Sequence, residues 1–202
     1  MAHALELFPL TAALAPAAPP AVDTPLGRLG LHLVTDAGPV APDATFATAG
    51  GRAACVWAEA APARVELVLA EPALALPPGV AVAGAVAAVW RMRATGSGET
   101  TVRLRCDWAE GATWTAGGPD GGENLDAQTW TDGRTKVTVG LPDLGGATAY
   151  RRDGFEVAVA VGPGGAVFQT HFACAWGPDV PDDAATWFAA DLTPAQALAG
   201  VA

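Results

Sequence analysis

Lysine is almost missing from this chain: Lys136 is the single one among eleven basic residues, set against 21 acidic ones. The formal net charge of -10 and a pI near 4.5 would repel a phosphate backbone, so nucleic acid is not expected as a partner. Cysteine is scarce too. Cys55, Cys106 and Cys174 form no CxxC pair, and an odd number cannot close a disulfide framework, so they read as small buried apolar residues. No long apolar run exists, because Pro and Gly interrupt every candidate before the roughly 18 residues a membrane-spanning helix needs. Membrane insertion is therefore not expected. The opening "MAHALELFPLTAALAPAAPP" lacks a positive n-region, carries Glu6 in its apolar stretch and runs into prolines, which argues against a secretory signal and for an apolar arm on a protein made in the cytosol.

Catalytic signatures are missing as well: there is no GxSxG, no Walker loop, no HExxH, and no GxGxxG between a strand and a helix. His3, His32 and His171 stand far apart with no fixed spacing to cysteines or carboxylates, so each reads as a surface or hydrogen-bonded side chain. Only Glu110, Asp120, Glu123 and Asp126 cluster at all, which makes a hydrolase the weakest reading. Neither an enzyme nor a cofactor is expected.

What is present is Gly (24), Pro (17), abundant Ala and a 51% hydrophobic content. In 202 residues that suits one medium domain able to bury a real core. Residues 1–22 are Ala/Pro-rich, with Leu7 and Phe8 as a docking strip expected to order against a neighbour. From 23 to 178 short alternating runs are separated by turn signals. They predict strands at Leu29 to Thr35, Ala53 to Ala58, Ala63 to Leu69, Val80 to Ala94, Thr100 to Trp108, Lys136 to Leu141, Phe155 to Val161 and Ala166 to Trp176. The expected fold is an all-β, two-sheet antiparallel β-sandwich, jelly-roll-like if its hairpins cross between sheets. Residues 179–202 read as a second arm, with Thr193-Pro194 opening a short helix.

Two stretches read as hairpins. In "RRDGFEVAVAVGPGGAVFQTHFACAWG", Phe155, Val157, Val159 and Val161 share one face, followed after the turn by Phe168, Phe172 and Trp176. In "VWRMRATGSGETTVRLRCDW", Trp90, Met92, Leu104 and Cys106 point inward, leaving Arg91, Arg93, Arg103 and Arg105 on the other face. As a solvated face these arginines would contribute little. As a shared cationic face they suit bidentate contact with an acidic neighbouring subunit.

The polar stretch "GATWTAGGPDGGENLDAQTWTDG", 111–133, is expected to be a long loop. Asp120, Asn124 and Asp126 offer oxygens at nearby positions but lack the bidentate glutamate of a calcium loop. Trp114 and Trp130 flank them, a mixture that suits stacking a sugar ring while polar groups hold its hydroxyls. The alternative is that both tryptophans cap the open end of the sandwich.

In order along the chain, "PDATFATA", "LPPGVAVAGAVAAVWRMRA", a "TVRLR" strand, the Trp-bearing loop, "DL", "GFEVAVAV" and a final "ACAWG" resemble a β-sandwich domain of tailed-bacteriophage virion proteins, over about Asp36 to Gly177. The chain departs from that pattern in having Ala where β-branched residues are usual. The resemblance implies a virion structural protein of tail fibre or minor tail type, contacting other virion proteins and copies of itself and engaging a host-surface polysaccharide. A head decoration protein and a free-standing carbohydrate-binding module are the alternatives.

Overall fold

The computed structural model describes residues 7–8, 19–48, 52–57, 63–120, 125–142, 144, 148–181 and 184–201, and the main chain of 10–13. The strands in chain order are β1 (Leu10–Ala13), β2 (Ala21–Thr24), β3 (Gly27–Thr35), β4 (Gly38–Val40), β5 (Ala44–Thr48), β6 (Ala53–Trp57), β7 (Ala63–Ala70) and β8 (Gly84–Ala94). They continue as β9 (Thr100–Trp108), β10 (Ala116–Pro119), β11 (Leu125–Thr131), β12 (Thr135–Pro142), β13 (Thr148–Arg151), β14 (Gly154–Val161) and β15 (Phe168–Pro178), before helices α1 (Ala185–Ala190) and α2 (Pro194–Leu198). Among the described residues, no helix is long and apolar enough to cross a membrane.

The strands form two antiparallel sheets packed as a sandwich. The nine-stranded sheet runs β1-β5-β6-β7-β8-β15-β12-β11-β10, and the six-stranded sheet runs β13-β14-β9-β3-β2 with β4 alongside β3. Each of the eight strands expected from alternation is present, with ends shifted by a few residues; β8, for instance, begins at Gly84 rather than Val80. Facing side chains fill the space between sheets. Trp90 stacks on Trp57 at 5.7 Å, Phe172 bridges Trp90 and Phe155, and Trp108 meets Trp130 edge-on at 5.5 Å. All three cysteines are free and buried, and burial pushes the Cys174 thiol up to about 12, so it remains an unreactive apolar filler.

The two expected hairpins are not hairpins. β8 pairs with β7 and β15, whereas β9 pairs with β3 and β14, so residues 95–99 carry the chain from one sheet to the other. Likewise β14 lies in the six-stranded sheet and β15 in the nine-stranded one. Alternation assigned the inward faces rightly, because a strand's parity is local. It left the pairing partner open, since two facing strands and two hydrogen-bonded strands present the same inward residues. Gly154 explains the glycine that opens "GFEVAVAV": a Cβ there would collide with the Cys106 carbonyl of β9.

The nine-stranded sheet is also covered on its outer side. Phe8, Ala190, Leu192, Ala197 and Val201 pack on Ala54, Val68, Ala87, Val89 and Ala173 in a second apolar cluster. Ala in place of bulkier strand residues lets these tails lie close to the sheet. Thr193 caps α2 with a complete capping box, as Thr193-Pro194 predicts. The preceding α1 carries no such signal and has no side-chain cap, so its helical state owes more to packing on β12 and β15.

Candidate functional site

The polar stretch 111–133 contains two strands, β10 and β11, rather than one long loop. Pairing across them places Trp130 opposite Gly117, where any Cβ would run into the indole, so glycine is required. Trp130 is fully buried and its Nε1 donates to the Arg152 carbonyl at 3.1 Å. It cannot serve as the sugar platform the sequence suggested, and closes the sandwich instead. Trp114 is half-buried against the core, with the Arg152 guanidinium over its ring, 5.5 Å from the centroid.

The carboxylates are separated too. Asp126 accepts from the Thr148 hydroxyl at 2.6 Å and from the Tyr150 hydroxyl at 3.1 Å. Gln128 donates to the Arg151 carbonyl. With Trp130, these alternate residues of β11 stitch the nine-stranded sheet to β13 and its turn in the other sheet. Asp120 takes part in a different network: it accepts from Thr129, which joins Thr138 and then Thr186 through hydroxyl contacts of 2.9 Å each. Its carbonyl accepts from the Trp187 indole at 3.2 Å. Asp120 and Asp126 are thus engaged in two separate networks. Asn124 and Glu123 lie outside the described residues. Among those described, no group of three or more His, Cys, Asp or Glu is arranged to hold a metal.

The four arginines expected to share a face divide between opposite sides of the sandwich, because β8 and β9 belong to different sheets. Arg105 sends two nitrogens to one oxygen of Glu156, at 3.1 and 2.8 Å, and Arg103 reaches Asp36 at 2.6 Å. These two remain on the outer face of the six-stranded sheet. Arg91 faces the other way, where Leu7 and Phe8 are found. Its Nε donates to Gln169 at 2.9 Å, its Nη1 donates to the Leu7 carbonyl at 2.8 Å, and its guanidinium lies 4.3 Å from the Phe8 ring centroid. Arg93 is the cross-strand partner of Arg64.

Glu66 completes this latch. It is fully buried, accepts from the Leu7 and Phe8 amides at 3.0 and 2.9 Å through Oε2, and accepts from Arg64 Nε at 2.6 Å through Oε1. The docking strip is thus seated on its own domain, and the β1 main chain extends the same sheet by pairing with β5. Sequence reasoning missed Glu66. The available signal was a lone carboxylate in the otherwise apolar "ARVELVLA", since a buried charge demands partners.

Against known proteins, no family model matches the chain and no curated protein matches it. Among solved structures it is similar to a protein from the human microbiome, provisionally named a kojibiose phosphorylase, at 6% identity and a TM-score of 0.47. That alignment covers 92% of this chain but only 27% of the other. The likeness carries no argument about activity.

Proposed function

We propose that the chain is a non-enzymatic structural component of a tailed phage or phage-like particle, of tail fibre or minor tail type, in contact with other particle proteins and copies of itself. The observation behind this reading is that the sequence elements resembling virion β-sandwich domains are framework elements here. "PDATFATA" spans β5, "TVRLR" lies in β9, "GFEVAVAV" is β14 and "ACAWG" ends β15. A resemblance carried by strands of both sheets is a resemblance of scaffold, as expected for a building block. Head decoration remains the alternative placement, and the same experiment separates the two.

Particles purified from a producing culture should carry the chain at fixed stoichiometry, and labelled antibody with electron microscopy should locate it on the tail. Label on the head would move the assignment to decoration. Particles that assemble complete and infectious without the chain, which then stays in the unassembled fraction, would overturn the proposal. The purified chain should release no sugar or acyl product from polysaccharide or ester substrates.

A further inference from the structure

The two crossings between sheets, 95–99 after β8 and 162–167 after β14, come together at one end of the sandwich and enclose a cavity of about 560 Å³. Arg64 and Arg93 line it beside Ser97, Pro163, Gly164 and Gly165. The described lining includes no carboxylate. Arg64 and Arg93 are direct partners across β7 and β8, and like charges placed opposite one another on adjacent strands repel. Among the described residues Arg64 is compensated by its Nε contact with Glu66. Arg93 Nε is buried and has no hydrogen-bond partner among the described residues. That Nε is therefore closed to a ligand, but two guanidinium groups on neighbouring strands, lining one cavity with no carboxylate among its described residues, favour an anion there.

From this geometry we infer that the cavity is a binding site for an organic oxyanion, a carboxylate or phosphate group carried on a body of sugar size. The guanidinium fork of Arg93 receives the anion in a planar, two-point contact, and Arg64 adds charge from the neighbouring strand. The volume lies within the range of small-molecule sites. The mouth is open, because a Cβ at Gly96, Gly164 or Gly165 would meet nothing within 4 Å. Successive left-handed glycines, Gly164 and Gly165 at φ 81° and 75°, turn the rim without side chains that would fill the entrance. This site is independent of where the chain resides, and is distinct from the seam of Trp130 and Asp126.

Titration of the whole chain by NMR and calorimetry tests it, with a hexuronic-acid oligosaccharide, a hexose phosphate, inorganic phosphate and neutral glucose as probes. Uronate binding without phosphate binding would point to an acidic polysaccharide, and the reverse to a phosphorylated small molecule; either supports the site. In both cases the shifts should centre on the Gly96, Gly164 and Gly165 amides, glucose should not bind, and affinity should fall as salt rises. Arg93→Gln should weaken binding at least tenfold, and Gly96→Trp, which adds bulk at the mouth while leaving both arginines unsubstituted, should do the same. Absence of binding by every anionic probe overturns the inference, as does unchanged affinity in both variants. Binding of inorganic phosphate alone would also overturn it, since the cavity is argued to hold the ligand's body as well as its charge.

Discussion

The outer faces of the two sheets obey opposite rules. In the six-stranded sheet, β9 alternates strictly, with Val102, Leu104, Cys106 and Trp108 buried and Arg103, Arg105 and Asp107 partly exposed between them. Its outer face is charged and carries cross-strand pairs such as Arg105–Glu156 and His32–Asp107. In the nine-stranded sheet, β8 is buried without a break from Ala87 to Trp90, and β15 from Thr170 to Ala175. Its outer face carries an apolar cluster where the Phe8 segment and the two short helices lie on it, with the charged Glu66, Arg64 and Arg91 latch beside that cluster. A strand facing water on one side needs a polar residue at every second position, whereas a strand covered on both sides needs small apolar ones. The Ala-rich texture is thus a record of the second layer.

Substituting one residue on each face would break or sharpen this contrast. The largest effect is expected from Val89→Asp, which places an unpaired charge beneath the tails and should cost about 3–5 kcal/mol, read as a collapse of the thermal midpoint. Arg103→Asp on the opposite sheet should cost far less, and equal losses would show that the two faces do not differ as described.

Glu66→Gln should come next. It removes the charge that holds the Leu7 and Phe8 amides and Arg64, hydrogen bonds that as charged contacts are each in the range of about 1.5–3 kcal/mol. Hydrogen exchange at Leu7 and Phe8 should then accelerate while β9 remains protected. Unchanged exchange would mean that Phe8 packing alone seats the segment.

Acid should also act on the covered face. His171 is buried beneath the tails, and its Nε2 donates to the Leu192 carbonyl at 2.9 Å. Burial lowers its proton affinity below the ordinary value of 6.5, with the Leu192 contact opposing. The unfolded chain therefore takes up a proton first as pH falls. The stability is fully present above about pH 6.5 and declines below it, by at most about 1.4 kcal/mol per pH unit, until the folded imidazole also protonates. His171→Gln should flatten that part of the stability profile; an unaltered profile would assign the acid response to other groups.

The smallest effect is expected from Glu156→Gln, which breaks a partly exposed pair worth about 0–1 kcal/mol. Its loss should shrink further in high salt. A loss above 2 kcal/mol would show that the bare face is more tightly organised than an exposed charged surface.

The candidate sugar site shows what nearness in sequence leaves open. Trp114, Asp120, Asn124, Asp126 and Trp130 group together in the sequence because they are close neighbours among glycines. Yet β11 alternates, so Asp126 and Trp130 turn toward the other sheet, while Thr129 and its contact to Asp120 lie on the opposite side. The arginine prediction failed in the same way, through an assumed pairing rather than a wrong parity. The Arg64–Arg93 cavity was invisible for a related reason: its walls come from strands and crossings spread between residues 64 and 165.

By itself the sequence determined the all-β class, the strand positions, the inward residues and the cap of α2, because period, turn chemistry and capping are set by neighbours along the chain. Only the tertiary structure decided which strands pair, that residues 95–99 and 162–167 cross between sheets, and that the terminal segments fold back on their own domain. Those choices depend on contacts between residues far apart in the chain, among partners that look alike locally. Strand parity says which side of a strand is apolar, but not what will cover it.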